Sequence, residues 1–250
     1  IVSLAPDVLH AIHLGVSKAF YMAAIWRCIN RDVWWVGAAT AEVRAQSSVQ
    51  RLRHALFAWY RNERIRNPIR ALYELTDLTV RMLGRATKPY LATKAAETGA
   101  LCEFCVYLLQ DHQHAVGAQG AALLRVGTAL LDMRRLLSAN RQRLDVGTAQ
   151  ALVDAAKRAA AGREEAQIPF TPKWHLMMHL VCDAAWRGGP QSYATWFDEN
   201  LNGFLGSVAR RCHRITWHRS VLAYFKKGIT EGGAGDACSA GSKRRKQSRT

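Results

Sequence analysis

The sequence has almost no stretch in which Val, Ile and Thr alternate with polar residues, the pattern of a half-buried β-strand. It has no run of about 18 apolar residues, so no membrane span is expected. Its six cysteines follow no regular framework, which favours reduced, intracellular thiols over a disulfide-stapled domain. The chain begins with Ile and shows no signal-peptide pattern, so we expect an internal piece of a longer reading frame.

Acidic residues are the other scarce class. The 250 residues include 19 Asp and Glu against 35 Lys and Arg, which gives a formal net charge of +16. Such an excess favours a polyanionic partner, most commonly nucleic acid. The alternative is a compositional bias in which arginine and alanine rise together. With 49% hydrophobic residues the chain is expected to fold around a core. The sequence leaves open whether it forms a homo-oligomer.

Apolar residues at helical spacing dominate the chain, so the predicted fold class is mainly α, a multi-helix bundle. Helices are expected from a Ser17 cap to Asn30, over 43–60, from Pro68 to a stop at Gly84, from Thr93 to 109, and over 123–137, 146–156 and 173–182. No internal repeat at solenoid spacing is present.

We divide the chain into four segments. Residues 1–30 hold an Asp-x-x-His motif and the first helix, 31–165 an all-α block, and 166–230 a distal helical segment. Residues 231–250 are rich in Gly, Ser and charge and are expected to be a disordered basic tail. The tail contains Lys243-Arg244-Arg245-Lys246, a nuclear-import type of cluster, so the expected location is nuclear or otherwise intracellular.

Arginines cluster along the predicted helices. One cluster lies beside Trp59 and Tyr60 and holds Arg51, Arg53, Arg61, Arg64, Arg66 and Arg70. The others are Arg134, Arg135, Arg141 and Arg143, then Arg210, Arg211, Arg214 and Arg219. Arginines with interleaved aromatics can hold phosphates and stack on bases, so these residues are the predicted nucleic-acid contacts. The alternative is a solvated helix face.

Acidic and histidine residues form two further motifs near the ends of the chain. Asp7 and His10 are three residues apart and share a helix face, where Asp7 is either a helix cap or a functional carboxylate. Gly188-Gly189-Pro190 ends one helix, and Asp198 and Glu199 fall in the first turns of the next. Glu199 either complements the helix dipole or binds a metal ion.

Two patterns resemble zinc sites. His175, His179 and Cys182 lie on one helical stripe, where they either ligate a metal or form a partly buried polar seam that Trp186 continues. Cys102-x-x-Cys105 is followed by His112 and His114, but no turn residue separates the two cysteines. Buried thiols are therefore expected at Cys102 and Cys105.

Three motifs follow one another in order: Pro6-Asp7-x-x-His10, Pro172-Lys173-x-His175-x-x-x-His179, and Thr195-Trp196-x-Asp198-Glu199-x-x-Asn202. Together they resemble the distal part of transposase-like proteins of the CACTA (En/Spm) kind, from eukaryotic mobile elements. The resemblance covers the two ends of the chain, and residues 40–160 match in helical character only. It implies an RNase H-like catalytic domain with three acidic metal ligands and a large helical insertion between the second and the third.

On this resemblance, Asp7 and His10 correspond to a signature near the start of the insertion and Glu199 to the last acidic ligand. Catalysis would then use Glu199 and Asp7, with His10 beside them, around Mg²⁺ or Mn²⁺. The first ligand and most of the sheet would lie upstream of Ile1, so this fragment alone is expected to be inactive. The expected function is DNA binding and a metal-binding carboxylate for DNA strand cleavage and transfer. The alternative is a non-catalytic, all-α nucleic-acid-binding or assembly module. Zinc at His175, His179 and Cys182 is the weaker metal alternative.

Overall fold

The computed structural model describes residues 7–34, 40–70, 72–85, 88–93, 95–140, 143–193, 210, 219 and 222–223. The chain divides into two compact units, Ile1–Ala194 and Thr195–Thr250, and nearly all described residues belong to the first. This part is mainly helical, which confirms the predicted mainly α class. No helix within it is both long and apolar enough to cross a membrane.

Seven α-helices and one short hairpin make up the described part of the first unit. A π-helix, Leu9–Val16, precedes them and runs directly into α1. The elements are α1 (Ser17–Asn30), α2 (Ala41–Arg66), α3 (Val80–Leu83), β1 (Gly84–Arg85), β2 (Lys88–Pro89), α4 (Ala95–Asp111), α5 (Gln113–Ala139), α6 (Val146–Gly162) and α7 (Pro172–Arg187). β1 and β2 pair antiparallel, with Gly84 opposite Pro89, and a 3₁₀ turn, Pro190–Tyr193, follows α7.

The first helical run starts earlier than the sequence predicts. The Asp7 carboxylate accepts hydrogen bonds from the backbone N–H groups of Leu9 at 3.3 Å and His10 at 3.1 Å, the geometry of a helix cap. Ser17 is buried inside the continuous run, where its N–H bonds to the carbonyl of Ile12. The prediction that Ser17 caps α1 is therefore wrong.

α5 lies at the centre of the bundle and packs against α1, α4 and α6. Its approach to α1 is close because position 127 is glycine: a Cβ atom there would lie 2.4 Å from Cζ of Phe20 and 2.7 Å from a Val106 methyl. Near its start, α5 breaks at Gly117, where φ is 65°. The freed carbonyl of Val116 accepts two hydrogen bonds from Arg27 of α1, at 2.8 and 2.7 Å. The break therefore leaves no unsatisfied carbonyl at Val116.

Residues 68–70 and 72–79 do not form the predicted helix. Only Val80–Leu83 is helical before Gly84, whose φ of 69° confirms the predicted stop. The segment instead runs antiparallel to α2: Tyr60 accepts the N–H of Leu75 at 3.1 Å, while Glu74 and Asp77 meet successively earlier arginines of α2. These tertiary contacts outweigh helix propensity, which β-branched Thr76, Thr79 and Val80 already lower.

Candidate nucleic-acid interface

α2 is a long helix that buries one stripe and exposes the rest. Val49, Leu52, Leu56, Trp59 and Tyr60 face the core. Six arginines and two glutamates lie on the same 26 residues, so the exposed faces are strongly positive. Thr40 caps the helix by accepting the N–H of Val43 at 3.4 Å.

The segment after α2 neutralises one flank of this helix. Glu74 bonds to Arg64 at 2.5 Å, and Asp77 lies 3.4 Å from Arg53. The guanidinium of Arg53 also lies over the ring of Phe57, 5.3 Å from its centroid. Of the predicted contacts, Arg53 and Arg64 are thus occupied by partners within the fold.

Arg51 and Arg61 are different. Both side chains are exposed on α2. Among the residues that the structure describes, neither has a carboxylate within salt-bridge distance. Ten residues separate them, which at a rise of 1.5 Å per residue places them about 15 Å apart along the helix axis. Arg51 and Arg61 are therefore two cations on one helix that no carboxylate of the described residues neutralises.

A groove of about 1010 Å³ runs between the end of α1, the first half of α2 and the α3–β1 turn. Its lining includes Arg44, Arg53, Arg81 and Arg85 but only two carboxylates, Asp32 and Glu42. Arg44 lies 3.5 Å from Asp32, and its buried Nε atom has no hydrogen-bond partner. Arg81 and Arg85 are exposed and meet no carboxylate in the described ranges. The groove thus carries a positive excess and amide donors from Asn30, Gln46 and Gln50.

Arg81 and Arg85 are residues that reasoning from the sequence missed. Arg81, Arg85 and Lys88 recur within eight residues on either side of the glycine stop. That local density of basic residues around a turn is a signal in the sequence. The predicted helix ends at Gly84, so it assigns Arg81 to a helix and leaves Arg85 and Lys88 outside it, which separates the three basic residues.

The predicted base-stacking aromatics are not accessible to bases. Trp59 and Tyr60 are buried, and their rings pack on each other and, for Trp59, on Phe104, 6.0 Å between centroids. Burial raises the pKa of Tyr60 to about 12. The interpretation of these two residues as a stacking platform is wrong, because the core stripe and the basic face lie on opposite sides of α2.

The second arginine cluster is mostly structural. Glu103 accepts two hydrogen bonds from Arg70, at 2.7 and 2.6 Å, and one from Arg134 at 3.3 Å. This bonding to Glu103 raises the pKa of Arg70. Arg134 also donates to the carbonyl of Gly99, and Arg135 lies 3.7 Å from Asp132. Arg143 is exposed, and Arg141 lies outside the described residues.

Asp7 and His10 form a close pair. Oδ2 of Asp7 lies 2.5 Å from Nδ1 of His10, and Asp7 is more buried than His10. The same carboxylate caps the π-helix. The prediction that Asp7 is a helix cap is therefore confirmed. The metal-binding role of Asp7 and His10 stays a prediction.

The third motif, which contains Asp198, Glu199 and Asn202, lies outside the described residues. Arg211 and Arg214 lie outside them as well. Gly188, with φ of 91°, ends α7 as predicted. Arg210 and Arg219 are described individually and are exposed. The predicted metal role of Glu199 stays a prediction.

The stripe of His175, His179 and Cys182 faces outward. All three side chains are exposed, and Trp186 on the same stripe is 68% exposed with the Arg187 guanidinium 4.1 Å from its ring. The predicted partly buried seam is wrong, because α7 buries its other face through Trp174, Met177, Leu180, Val181 and Ala184. Nε2 of His175 and Nε2 of His179 lie 2.8 Å apart. Within the described ranges, no three His, Cys, Asp or Glu side chains are grouped to hold a metal ion.

Cys102 and Cys105 are buried in α4, as expected for core thiols. Burial raises the pKa of Cys102 to about 12 and that of Cys105 well above its usual value. His112 contacts the ring of Trp34 edge-on, 5.9 Å between centroids, and lies 3.5 Å from Asp111. These thiols are packed as small apolar side chains.

The described part of the first unit, called the helical unit below, thus has a positively charged groove and positively charged exposed residues on α2. Comparisons of the chain with models of protein families, with curated proteins and with solved structures gave no match.

Proposed function

We propose that the helical unit binds the sugar-phosphate backbone of DNA along α2 and the adjoining groove. The observation that carries the proposal is a group of four exposed arginines on α2, α3 and β1 that have no carboxylate partner among the described residues: Arg51, Arg61, Arg81 and Arg85. A guanidinium matches the geometry of a phosphate and can bind it through two hydrogen bonds. Each phosphate neutralised in this way releases counterions from the duplex, which drives binding at low salt.

The interface is suited to the backbone and not to bases. The arginines stand on a rigid helix and beside a short hairpin, while Trp59 and Tyr60 are in the core. The roughly 15 Å between Arg51 and Arg61 spans about four phosphate steps at 3.4 Å of helix rise per strand. Contacts to phosphates fix position without reading sequence. The proposed binding is therefore largely independent of DNA sequence.

Titration of fluorescent duplexes with the purified chain at several salt concentrations tests this proposal. We expect binding at about 50 mM salt, a steep linear fall of log affinity with log salt, and similar affinities for two duplexes of unrelated sequence. No dependence on Mg²⁺ is expected for binding itself. If the chain binds neither duplex at low salt, the proposal is wrong.

A second proposal places this unit in a transposase-like protein, as the helical insertion before the last acidic ligand of an RNase H-like domain. The observation that favours it is the 2.5 Å pair of Asp7 and His10, which couples the two residues of the Asp-x-x-His signature. In this proposal Asp7 and Glu199 hold Mg²⁺ or Mn²⁺, and Arg210, Arg211, Arg214 and Arg219 add contacts to DNA. The protein would then act in the nucleus.

The test of the second proposal uses the complete protein. Glu199→Gln is expected to abolish strand cleavage while leaving DNA binding nearly unchanged, because the carboxylate holds a metal ion needed only for chemistry. Glu165→Gln, an exposed carboxylate of the helical unit, is the matched control and should cleave normally. Cleavage by Glu199→Gln at the control rate would exclude Glu199 from the site.

A further inference from the structure

The exposed face of α7 holds two histidines in mutual contact. His175 and His179 are one helical turn apart, and their Nε2 atoms approach to 2.8 Å. Both side chains are exposed, so the contact is not imposed by burial. The opposite face of the helix is anchored in the core by Trp174, Met177 and Leu180, which keeps the two positions in register.

The two rings meet at an angle. Their planes are 86° apart and their centroids 4.4 Å apart. An end-on N–H···N hydrogen bond, which prefers to be linear, would hold the centroids farther apart for the same Nε2 separation. A centroid separation of 4.4 Å is compatible with two nitrogen directions that converge toward a point beside the pair.

Such convergence matches two ligands of one metal ion. A metal–nitrogen bond of about 2.0–2.1 Å puts two nitrogens at a right angle about 2.9 Å apart, close to the observed 2.8 Å. Right angles between neighbouring ligands belong to square-planar or tetragonal Cu²⁺ and Ni²⁺, whereas tetrahedral Zn²⁺ needs a wider separation. Imidazole nitrogen is a good ligand for all three metals.

We propose that His175 and His179 form a two-histidine site for a divalent transition metal, with water completing the coordination. The affinity order is Cu²⁺ above Ni²⁺ and Zn²⁺, as this ligand geometry and the general order of metal affinities both require. Cys182 is not part of the site. The proposal does not depend on DNA binding or on any metal held by Glu199.

The experiment measures Ni²⁺ and Cu²⁺ binding to the untagged chain by calorimetry, with the metal salts alone as probes. We expect one ion per chain in the wild type. His175→Gln and His179→Gln should each weaken Ni²⁺ binding by at least about tenfold, since even loss of a residue that merely supports a ligand costs about 10–100-fold. The metal should also raise the melting temperature of the wild type, but not that of the variant that carries both His175→Gln and His179→Gln.

Two control variants define the site. His54→Gln removes an exposed helical histidine of α2 and should bind Ni²⁺ like the wild type. Cys182→Ser should do the same. Equal losses in His54→Gln and His175→Gln would mean non-specific binding to surface histidines and overturn the proposal. A loss in Cys182→Ser as large as in His179→Gln would overturn the two-histidine assignment.

Discussion

The interior of the helical unit and the outer surface around α2 both contain arginine, but the two regions use it differently. Where helices and loops pack together, the partly buried Arg27 donates two hydrogen bonds to the carbonyl of Val116, and the partly buried Arg70 and Arg134 both bind Glu103. Around α2, Arg51 and Arg81 are exposed and meet no carboxylate in the described residues. Net charge alone therefore does not define a binding surface. In the proposed binding, we expect the arginines that folding leaves unpaired to contribute most to holding phosphates.

The difference has a physical cause. A charge held away from water must be paired or fully hydrogen-bonded, so interior arginines are fixed by their partners. An exposed arginine keeps its water shell and loses little when it exchanges water for a phosphate oxygen. We expect the first kind to contribute to stability and the second to the proposed binding. Mutations should separate these two effects.

The largest effect on stability is expected at a buried histidine of the interior. Burial, reinforced by the charge of Arg134 and opposed by that of Asp7, lowers the pKa of His13 from 6.5 to about 4. Between these pH values the unfolded chain binds a proton at His13 and the folded chain does not. Stability from the neutral imidazole is thus fully present above pH 6.5 and lost as the pH falls to about 4. The difference corresponds to roughly 3 kcal/mol at about 1.36 kcal/mol per pH unit.

Urea denaturation of the wild type and His13→Gln between about pH 7 and pH 4 tests this expectation. The wild type should lose more stability than the variant, by up to about 3 kcal/mol, because carboxylates contribute equally to both proteins. The absolute stability of the variant at neutral pH does not enter the comparison. Parallel pH profiles would show that His13 does not resist protonation in the folded state.

A smaller effect is expected from the carboxylate between two interior arginines. Glu103→Gln removes the carboxylate that pairs with Arg70 and Arg134, while Arg70 keeps Glu63 at 3.7 Å. The side chains of Glu103, Arg70 and Arg134 are each less than one-third exposed. We expect a decrease of about 2 kcal/mol in the free energy of unfolding, in the range for hydrogen bonds to charged groups. Thermal and urea denaturation at neutral pH measure it.

The smallest effect is expected from the matching exposed pair. Glu165 bonds to Arg125, but both side chains are more than half exposed. Glu165→Gln should therefore change stability by less than about 0.5 kcal/mol, because solvent screens such pairs. If Glu165→Gln costs as much as Glu103→Gln, the distinction between interior and surface charge pairs fails.

The sequence predicts the helices better than the connections between them. Helical spacing of apolar residues is enough to predict α2, α4, α5, α6 and α7, because each helix buries a regular stripe of apolar side chains. The prediction for residues 68–79 is wrong because contacts from Tyr60, Arg64 and Arg53 decide their path, and such contacts between distant residues leave no local pattern. The contact of Arg27 with the break at Gly117 is likewise not predictable.

The candidate site is only partly predictable for the same reason. The local density of arginine in the sequence locates the cluster on α2. It does not show that Arg53 and Arg64 pair with carboxylates while Arg51 and Arg61 meet none among the described residues.

The histidines of α7 give a second example. The helical spacing of His175 and His179 predicts their shared face, and the structure adds the 2.8 Å contact between them. Exposure of that face depends on which side of α7 the core occupies. Trp186 lies on the same stripe and is large and apolar, so its presence wrongly favours the prediction that this face is buried.

The most direct test of the central claim compares two sets of four substitutions. One set replaces Arg51, Arg61, Arg81 and Arg85 by Gln, and the other replaces the carboxylate-paired Arg64, Arg125, Arg135 and Arg158 by Gln. Each set lowers the net charge by the same amount, so net charge alone cannot explain a difference in binding between the two sets. Circular dichroism and melting temperature confirm folding of both.

The measurement is the slope of log affinity for a DNA duplex against log salt concentration. The first set should lower the magnitude of this slope by up to about 3.6, at about 0.9 for each phosphate that the protein no longer neutralises, and the second by less than about 1. Equal reductions in the two sets would contradict the account, since they would mean that DNA responds to net charge and not to the arginines that folding leaves free.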